Sequence, residues 1–361
     1  MNVPKLRFKE FNDNYLRLKY KDVLKIKSGK DQKQVECENG IYPILGTGGQ
    51  IGKTNSFLYD KPSVLIGRKG TINKPQYMET PFWTVDTLFY SHIYEPNIPK
   101  YLFYSFQSVN WKKYDESTGV PSLSSSTIEG VDCNIPSKEE QLKVANFLSL
   151  LDKKIELQSK KIEDLKLFKL YTKNQIFKDY DEIFKLKDIL VKWNKKNKNN
   201  YVKYVESISN KYGFISQSDQ FEDRNVASKN LNNYYIIEKG VFGYNPSRLN
   251  VGSLALKTND KVSVVSPLYE CFTTSQNKQY LLEWFNSKYF RKETISKFEG
   301  GVRNTLNFSN LCEIEIGLPT IEKQNMYSRI FKIFNKKLTI EEEKLDKLFE
   351  LKKGLMLNMF V

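Results

Sequence analysis

Two stretches of this chain carry one pattern. Ile135-Pro136-Ser137-Lys138-Glu139-Glu140-Gln141 opens the first, and Leu318-Pro319-Thr320-Ile321-Glu322-Lys323-Gln324 opens the second. From there the two run without a gap at a constant offset of 183 residues. Pro136 aligns with Pro319, Glu139 with Glu322, Gln141 with Gln324, and Lys153-Lys154 with Lys336-Lys337. Further on, Lys161 aligns with Lys344, Leu165 with Leu348, Lys169 with Lys352 and Phe177 with Phe360. A repeat of this length describes one structural unit present twice, and two such copies pack about an approximate two-fold axis. Whatever the chain folds into, it must be built in duplicate.

The pattern divides the chain into four segments: 1–136, 137–178, 179–319 and 320–361. The first and third are mixed α+β in character. They hold short apolar runs, such as Ile41-Tyr42-Pro43-Ile44-Leu45 and Ser63-Val64-Leu65-Ile66-Gly67, that stop at Gly and read as strands. They also echo one another faintly. Leu18-Lys19-Tyr20-Lys21-Asp22-Val23-Leu24 parallels Phe184-Lys185-Leu186-Lys187-Asp188-Ile189-Leu190, and Thr118-Gly119-Val120 parallels Gly300-Gly301-Val302. The second segment lacks Pro and Gly from 138 to 178, and both it and the fourth show helical periodicity.

Leu148, Ile155 and Ile162 fall on one heptad position, with Leu151, Gln158 and Leu165 on its partner. The second helix places Phe331, Leu338 and Leu345, then Phe334, Glu341 and Leu348, at the same positions. The spacing predicts an antiparallel coiled coil, a rod of roughly 60 Å at about 1.5 Å per residue. Gln158 and Glu341 each interrupt the seam. They either fix its register or sit at an edge reached by solvent, the latter being the plainer expectation. Ser137 with Glu140 permits a capping box in the first copy only.

A formal charge of +15 points to a polyanionic partner, and nucleic acid fits better than membrane because no long apolar run or basic amphipathic helix accompanies the charge. The N-terminus lacks the apolar stretch of a signal peptide. Cys37, Cys133, Cys271 and Cys312 stand too far apart for paired metal-ligand spacing and read as free thiols of a cytoplasmic protein. His92 is the only histidine, which removes histidine-based triads and metal clusters.

Gly46-Thr47-Gly48-Gly49-Gln50-Ile51-Gly52-Lys53-Thr54 resembles a phosphate loop but puts Thr47 where the first Gly is required, so it reads as a turn between strands. Asn245-Pro246-Ser247-Arg248 shares two residues with an adenine-methyltransferase motif but lacks its stacking aromatic, and it reads as a turn. No catalytic constellation emerges. Forked donors on loops are more telling, because Arg suits guanine edges and phosphates while Asn and Gln suit adenine. The candidate DNA contacts are Gln50, Lys53, Arg68, Lys69, Lys195, Lys196, Arg248, Arg303 and Asn304, with Lys195 and Lys196 lying in a basic run suited to phosphates.

Two variable globules, each followed by a long helix that opens on Pro-x-x-x-Glu-x-Gln, resemble the specificity subunit of type I restriction–modification enzymes. The opening Val3-Pro4-Lys5-Leu6-Arg7-Phe8 is similar to that family's usual start, while Tyr15 stands where relatives often carry Trp. The resemblance implies two tandem target recognition domains, each reading one half of a bipartite double-stranded DNA sequence. It implies that the helices space the two domains and dock two methyltransferase subunits and, in a restricting system, two restriction subunits. It places S-adenosylmethionine, ATP and Mg²⁺ in those partners and no cofactor in this chain. A stand-alone architectural DNA-binding protein, and an enzyme using the Gly46–Thr54 loop, are the alternatives.

Overall fold

The computed structural model of the chain describes residues 3–209, 212–217, 230–251, 254–295 and 305–360. They pack as two units, one formed by Met1–Lys161 with Glu341–Val361 and the other by Ile162–Ile340. Both are mixed helix and sheet.

In the first unit, β1 (Leu16–Lys19) leads into a single turn α1 (Tyr20–Val23) and then β2 (Leu24–Lys27). Asp22 fixes that turn by accepting from the Lys19 N–H at 2.8 Å. A hairpin of β3 (Tyr42–Gly46) and β4 (Gly49–Thr54) follows, then β5 (Ser63–Gly67), β6 (Gln76–Met78), β7 (Trp83–Thr84) and β8 (Leu88–Ile93). Helices α2 (Pro99–Ser108) and α3 (Ser125–Gly130) precede β9 (Asp132–Ile135). The main sheet has the order β2-β8-β5-β6, a second has the order β4-β3-β7, and β1 pairs with β9. Every residue of β5 is buried, as its unbroken apolar run requires of a central strand. The core beneath it holds Tyr20, Phe106 and Trp111.

Helix α4 (Lys138–Ile176) joins the units, and the second unit then repeats the scheme. It has β10 (Glu182–Lys185), the turn α5 (Leu186–Ile189) fixed by Asp188 at 3.2 Å from the Lys185 N–H, and β11 (Leu190–Lys192). Next come β12 (Glu206–Ser209), β13 (Gly213–Ser216), β14 (Tyr235–Ile237), β15 (Phe242–Tyr244), β16 (Leu254–Leu256), β17 (Ser263–Val265) and β18 (Glu270–Thr274). Helix α6 (Lys278–Phe285), β19 (Glu315–Leu318) and the long helix α7 (Ile321–Met359) complete it. Its main sheet, β11-β18-β15-β16, matches the first unit's strand for strand, and β10 pairs with β19 as β1 does with β9. So the faint sequence echo between the globules is a shared scaffold. Among the described residues, no helix is long and apolar enough to cross a membrane.

Each unit contains a stretch of both long helices, packed antiparallel. In the first, Gln158 meets Glu341 and Asp152 meets Lys352; in the second, Lys169 meets Asn335 and the rings of Phe168 and Phe334 lie 5.6 Å apart. Leu148, Leu151, Ile155, Ile162 and Phe331 of the expected seam are buried. Leu165, Phe334, Leu338, Leu345 and Leu348 are half-buried. The solvent-edge expectation for position 341 fails, because Glu341 is only 5% exposed. Its carboxylate takes the Gln158 amide at 2.8 Å with Lys161 at 3.1 Å and Lys344 at 3.2 Å, so the polar pair is internal to the seam.

The shared Gln of the two helix openings also has a physical role. Gln141 Nε2 donates to the Pro136 carbonyl at 3.1 Å while its Oε1 accepts from the Ile98 N–H at 2.9 Å, at the start of α2. Gln324 does the same with the Pro319 carbonyl at 2.9 Å and the Asn277 N–H at 3.1 Å, at the start of α6. One side chain therefore ties each long helix to the preceding strand and to its globule's helix. The expected capping box is only half formed. Ser137 Oγ accepts from the Glu140 N–H at 3.3 Å, but the Glu140 carboxylate is taken by Arg7 and Tyr15.

Candidate nucleic-acid interface

Three loops of the first unit come together beyond the end of β5. The Gly67-to-Ile72 loop carries Arg68 and Lys69; the Arg68 N–H donates to the Thr87 carbonyl at 2.8 Å and its own carbonyl accepts from the Leu123 N–H at 2.9 Å. Gly70, at φ +87°, donates to the Pro121 carbonyl at 2.8 Å. That conformation suits Gly and lets the loop turn back on itself. The β3–β4 turn is the third member. Gln76 Nε2 holds it through the Gly46 carbonyl at 2.9 Å and the Thr47 carbonyl at 3.3 Å, and Thr47 Oγ1 lies close beneath Gly70.

The 115–122 segment is fastened at its base. Asp115 Oδ1 accepts from the Ser122 N–H at 2.9 Å and from the Ser117 N–H at 3.0 Å. Those bonds, the Ser122 one foremost, hold the Asp115 carboxyl below its usual range. The tip stays open, with Val120 66% exposed. Backbone fixed at the base and side chains free at the tip is the arrangement a base-reading surface needs.

Arg68 and Lys69 therefore lie together, both exposed. Gln50 and Lys53 do not join them equally. Both are exposed on β4, but the Gln50 amide turns back to the Gly52 carbonyl at 3.2 Å, and Lys53 lies further along the strand. The stretch weighed as a phosphate loop is a β-hairpin, with a strand where a phosphate-cradling helix would have to start.

In the second unit, the corresponding loop follows β15. Asn245 Oδ1 accepts from the Ser247 N–H at 3.0 Å and its carbonyl from the Arg248 N–H at 3.0 Å, starting a 3₁₀ helix, Pro246–Val251. The Leu306 N–H donates to the Pro246 carbonyl at 3.1 Å, as Leu123 does to Arg68 in the first unit. Arg248 is exposed. Lys195 and Lys196 lie elsewhere, beside β14, where Ile236 donates to the Lys195 carbonyl at 2.7 Å. Lys195 is engaged by Glu238, whereas Lys196 is exposed. Far from being a loose basic run, this segment is anchored by Trp193 Nε1 on the Ile236 carbonyl at 2.7 Å and by buried Asn197 on Val202. Arg303 and Asn304 lie outside the described residues.

Sequence reasoning missed Val120, Gln76 and Asp115, which shape the first unit's loops. Only the Gly119-Val120-Pro121 string hinted at a projecting tip.

Residues 12–167 match the type I restriction modification DNA specificity domain. Over that stretch the chain is similar to the type I restriction–modification specificity family. It is 24% identical over 294 residues to the specificity subunit of the type I restriction enzyme MjaVIII from Methanocaldococcus jannaschii, covering 71% of this chain and 68% of that one. Its fold is similar to the crystal structure of a type I restriction–modification system S subunit from M. genitalium, with a TM-score of 0.67 at 15% identity and 99% of both chains covered. A second similar structure comes from work on complex assembly and conformational transition of a type I system, with a TM-score of 0.57 at 11% identity, covering 96% of this chain and 97% of that one. Nothing in these comparisons supports the stand-alone architectural alternative.

Proposed function

We propose that the chain is the non-catalytic reader of a cytoplasmic type I methyltransferase, with residues 1–136 and 179–319 as target recognition domains for the two halves of one bipartite DNA sequence. The observation that carries this reading is the pairing of one scaffold with two loop sets. The main sheets agree strand for strand, while Arg68-Lys69-Gly70 in one unit is replaced by Asn245-Pro246-Ser247-Arg248 in the other. Equal scaffolds with unequal loops recognise two different half-sites in the same manner. Segments 137–178 and 320–361 are the spacer.

The helices also support docking of two copies of one partner. On α4, Leu150 and Leu157 are 70% and 58% exposed and flank Lys153 and Lys154 at helical spacing. Their repeat counterparts on α7, Ile333 and Ile340, are 66% and 40% exposed and flank Lys336 and Lys337. A stripe of exposed apolar residues broken by two lysines fits a partner helix with an apolar face and acidic neighbours. The same stripe twice fits two methyltransferase subunits, which would bring S-adenosylmethionine. Restriction subunits, where the system has them, would bring ATP and Mg²⁺.

A base-resolution methylome of the host, with and without this gene, tests the reading. Loss of adenine methylation at one motif of two short half-sites around a fixed gap is the expected result. An unchanged methylome, together with failure to co-purify a methyltransferase subunit, would overturn it.

A further inference from the structure

We propose that Arg68 and Arg248 each read a guanine, one in each half of the target; this rests on the reading above. The two arginines occupy the same loop of the two scaffolds. Each loop leaves the buried strand that has equivalent neighbours in the main sheet, β5 in one unit and β15 in the other. Each is fastened by the backbone N–H of a leucine at one position of the repeat, Leu123 on the Arg68 carbonyl and Leu306 on the Pro246 carbonyl. The correspondence is of loops rather than of single residues, since Arg248 stands two positions beyond the fastened Pro246. The guanines therefore need not fall on the same rung of each half-site.

Three features separate these residues from the general basic surface. The chain has 57 lysines and arginines, of which only eight are arginine, so the forked side chain is scarce where a point charge would serve. Arg7 and Arg17 are engaged by Glu140 and Asp132. Arg68 and Arg248 are exposed, and no ion pair engages either among the described residues. Finally, the Arg68 backbone is held on both sides, at 2.8 and 2.9 Å, and the Arg248 N–H donates to the Asn245 carbonyl at 3.0 Å within a 3₁₀ turn, so each guanidinium starts from a fixed base. A guanidinium so held matches the O6 and N7 acceptors of guanine in the major groove, while neighbouring Lys69 serves the phosphates.

The test compares host methylomes carrying the wild-type gene, Arg68→Ala, Arg68→Lys, Arg248→Ala and Arg248→Lys. The wild-type motif is expected to hold a G·C pair in each half. Both Arg68 variants should relax one G·C position of a single half-site to any base, and both Arg248 variants one position of the other. Lysine keeps the charge but loses the fork, so it separates base reading from phosphate binding. In gel-shift measurements with the assembled methyltransferase, 7-deazaguanine at that position should weaken wild-type binding by about tenfold or more and leave Arg68→Ala unaffected. A wild-type motif that stays fully required in the lysine variants, or indifference to 7-deazaguanine, would overturn the guanine assignment alone. Absence of any bipartite motif in the wild type would overturn both this inference and the function it rests on.

Discussion

Gln158 donates to Glu341 at 2.8 Å, and the two residues are one position of the repeat, 183 apart. Antiparallel helices of equal pattern bring a position against its own copy only at their shared midpoint. There, identical acids would repel and identical amides would leave the pairing undirected. This chain instead sets an amide against an acid and flanks the acid with Lys161 and Lys344, themselves a repeat pair. The Gln158 hydrogen bond, followed by those of the two lysines, holds the Glu341 carboxyl down at about 2. Since the folded value lies below the ordinary carboxylate value, the contribution of Glu341 is fully present at neutral pH. It declines as pH falls from about 4.5 toward about 2. Glu341→Gln should melt lower than wild type at pH 7, with the gap narrowing below about pH 4.5 and closing only near pH 2. Gln158→Glu should lower the melting temperature at pH 7 and recover part of the loss in acid. A pH-independent difference in both variants would count against the pairing.

The glutamine that opens each long helix makes a sharper prediction, because it satisfies two backbone groups at once. Gln141→Ala leaves the Ile98 N–H and the Pro136 carbonyl without that partner, in a place where Gln141 is only 2% exposed. Each lost partner costs about 1–3 kcal/mol. Urea unfolding should show a loss in that range or above, and Gln324→Ala should show a matching one. Gln141→Glu keeps the acceptor but faces the Pro136 carbonyl with a second acceptor, so it should rescue only part. Full stability in Gln141→Ala would mean that the motif is kept for another reason.

Much of this was legible in the sequence, and for one reason. Helical periodicity over some forty residues reports burial directly, so the sequence alone places Leu148, Ile155, Ile162 and Phe331 in the seam. The central strand Ser63–Gly67 was equally plain, since an unbroken apolar run has few other uses. Position 341 misled because polarity in a seam reads as exposure unless the facing residue is known. That partner, Gln158, is fixed by the chain's two-fold pattern rather than by anything local. Loop residues were the least legible. The loop of Arg68 and Lys69 is held only because the Leu123 and Pro121 backbones return to it from more than fifty residues away, and no periodicity announces that.

Gly354 offers a stability test free of side-chain contacts. It lies within α7, exposed, and a Cβ built there meets nothing within 4 Å. Glycine in a helix interior costs about 0.5–1 kcal/mol relative to alanine, through the backbone freedom it must give up. Gly354→Ala should therefore stabilise the protein by that amount in urea unfolding and leave its methylation motif unchanged. A loss of stability would point to a conformation at 354 that alanine cannot share.

The two helix openings carry opposite charge at one position of the repeat, and the segments that hold them answer with opposite charge. Glu140 is gripped by two Arg7 nitrogens, Nε at 2.8 Å and Nη2 at 2.7 Å, and by the Tyr15 hydroxyl at 2.9 Å. Its counterpart Lys323 faces Asp179 at 3.3 Å and Asp181 at 3.5 Å, with Tyr327 also donating to Asp179. The environments differ, and the difference decides the cost. The first pair is 15% and 1% exposed, so removing one partner strands a charge in the interior at about 3–5 kcal/mol. The second is 39% and 45% exposed, where water and salt screen the charges and the pair contributes little. Arg7→Ala should therefore lower urea stability severely, whereas Lys323→Ala should barely move it. Reversing only Glu140, as Glu140→Lys, sets a lysine against Arg7 and should be worse than either. Adding Arg7→Glu to that variant should recover a measurable part of the loss, with the coupling read from a double-mutant cycle. Additive effects in the cycle would show that Arg7 and Glu140 act separately, and that the charge reversal between the two openings has no part in holding the first segment to its helix.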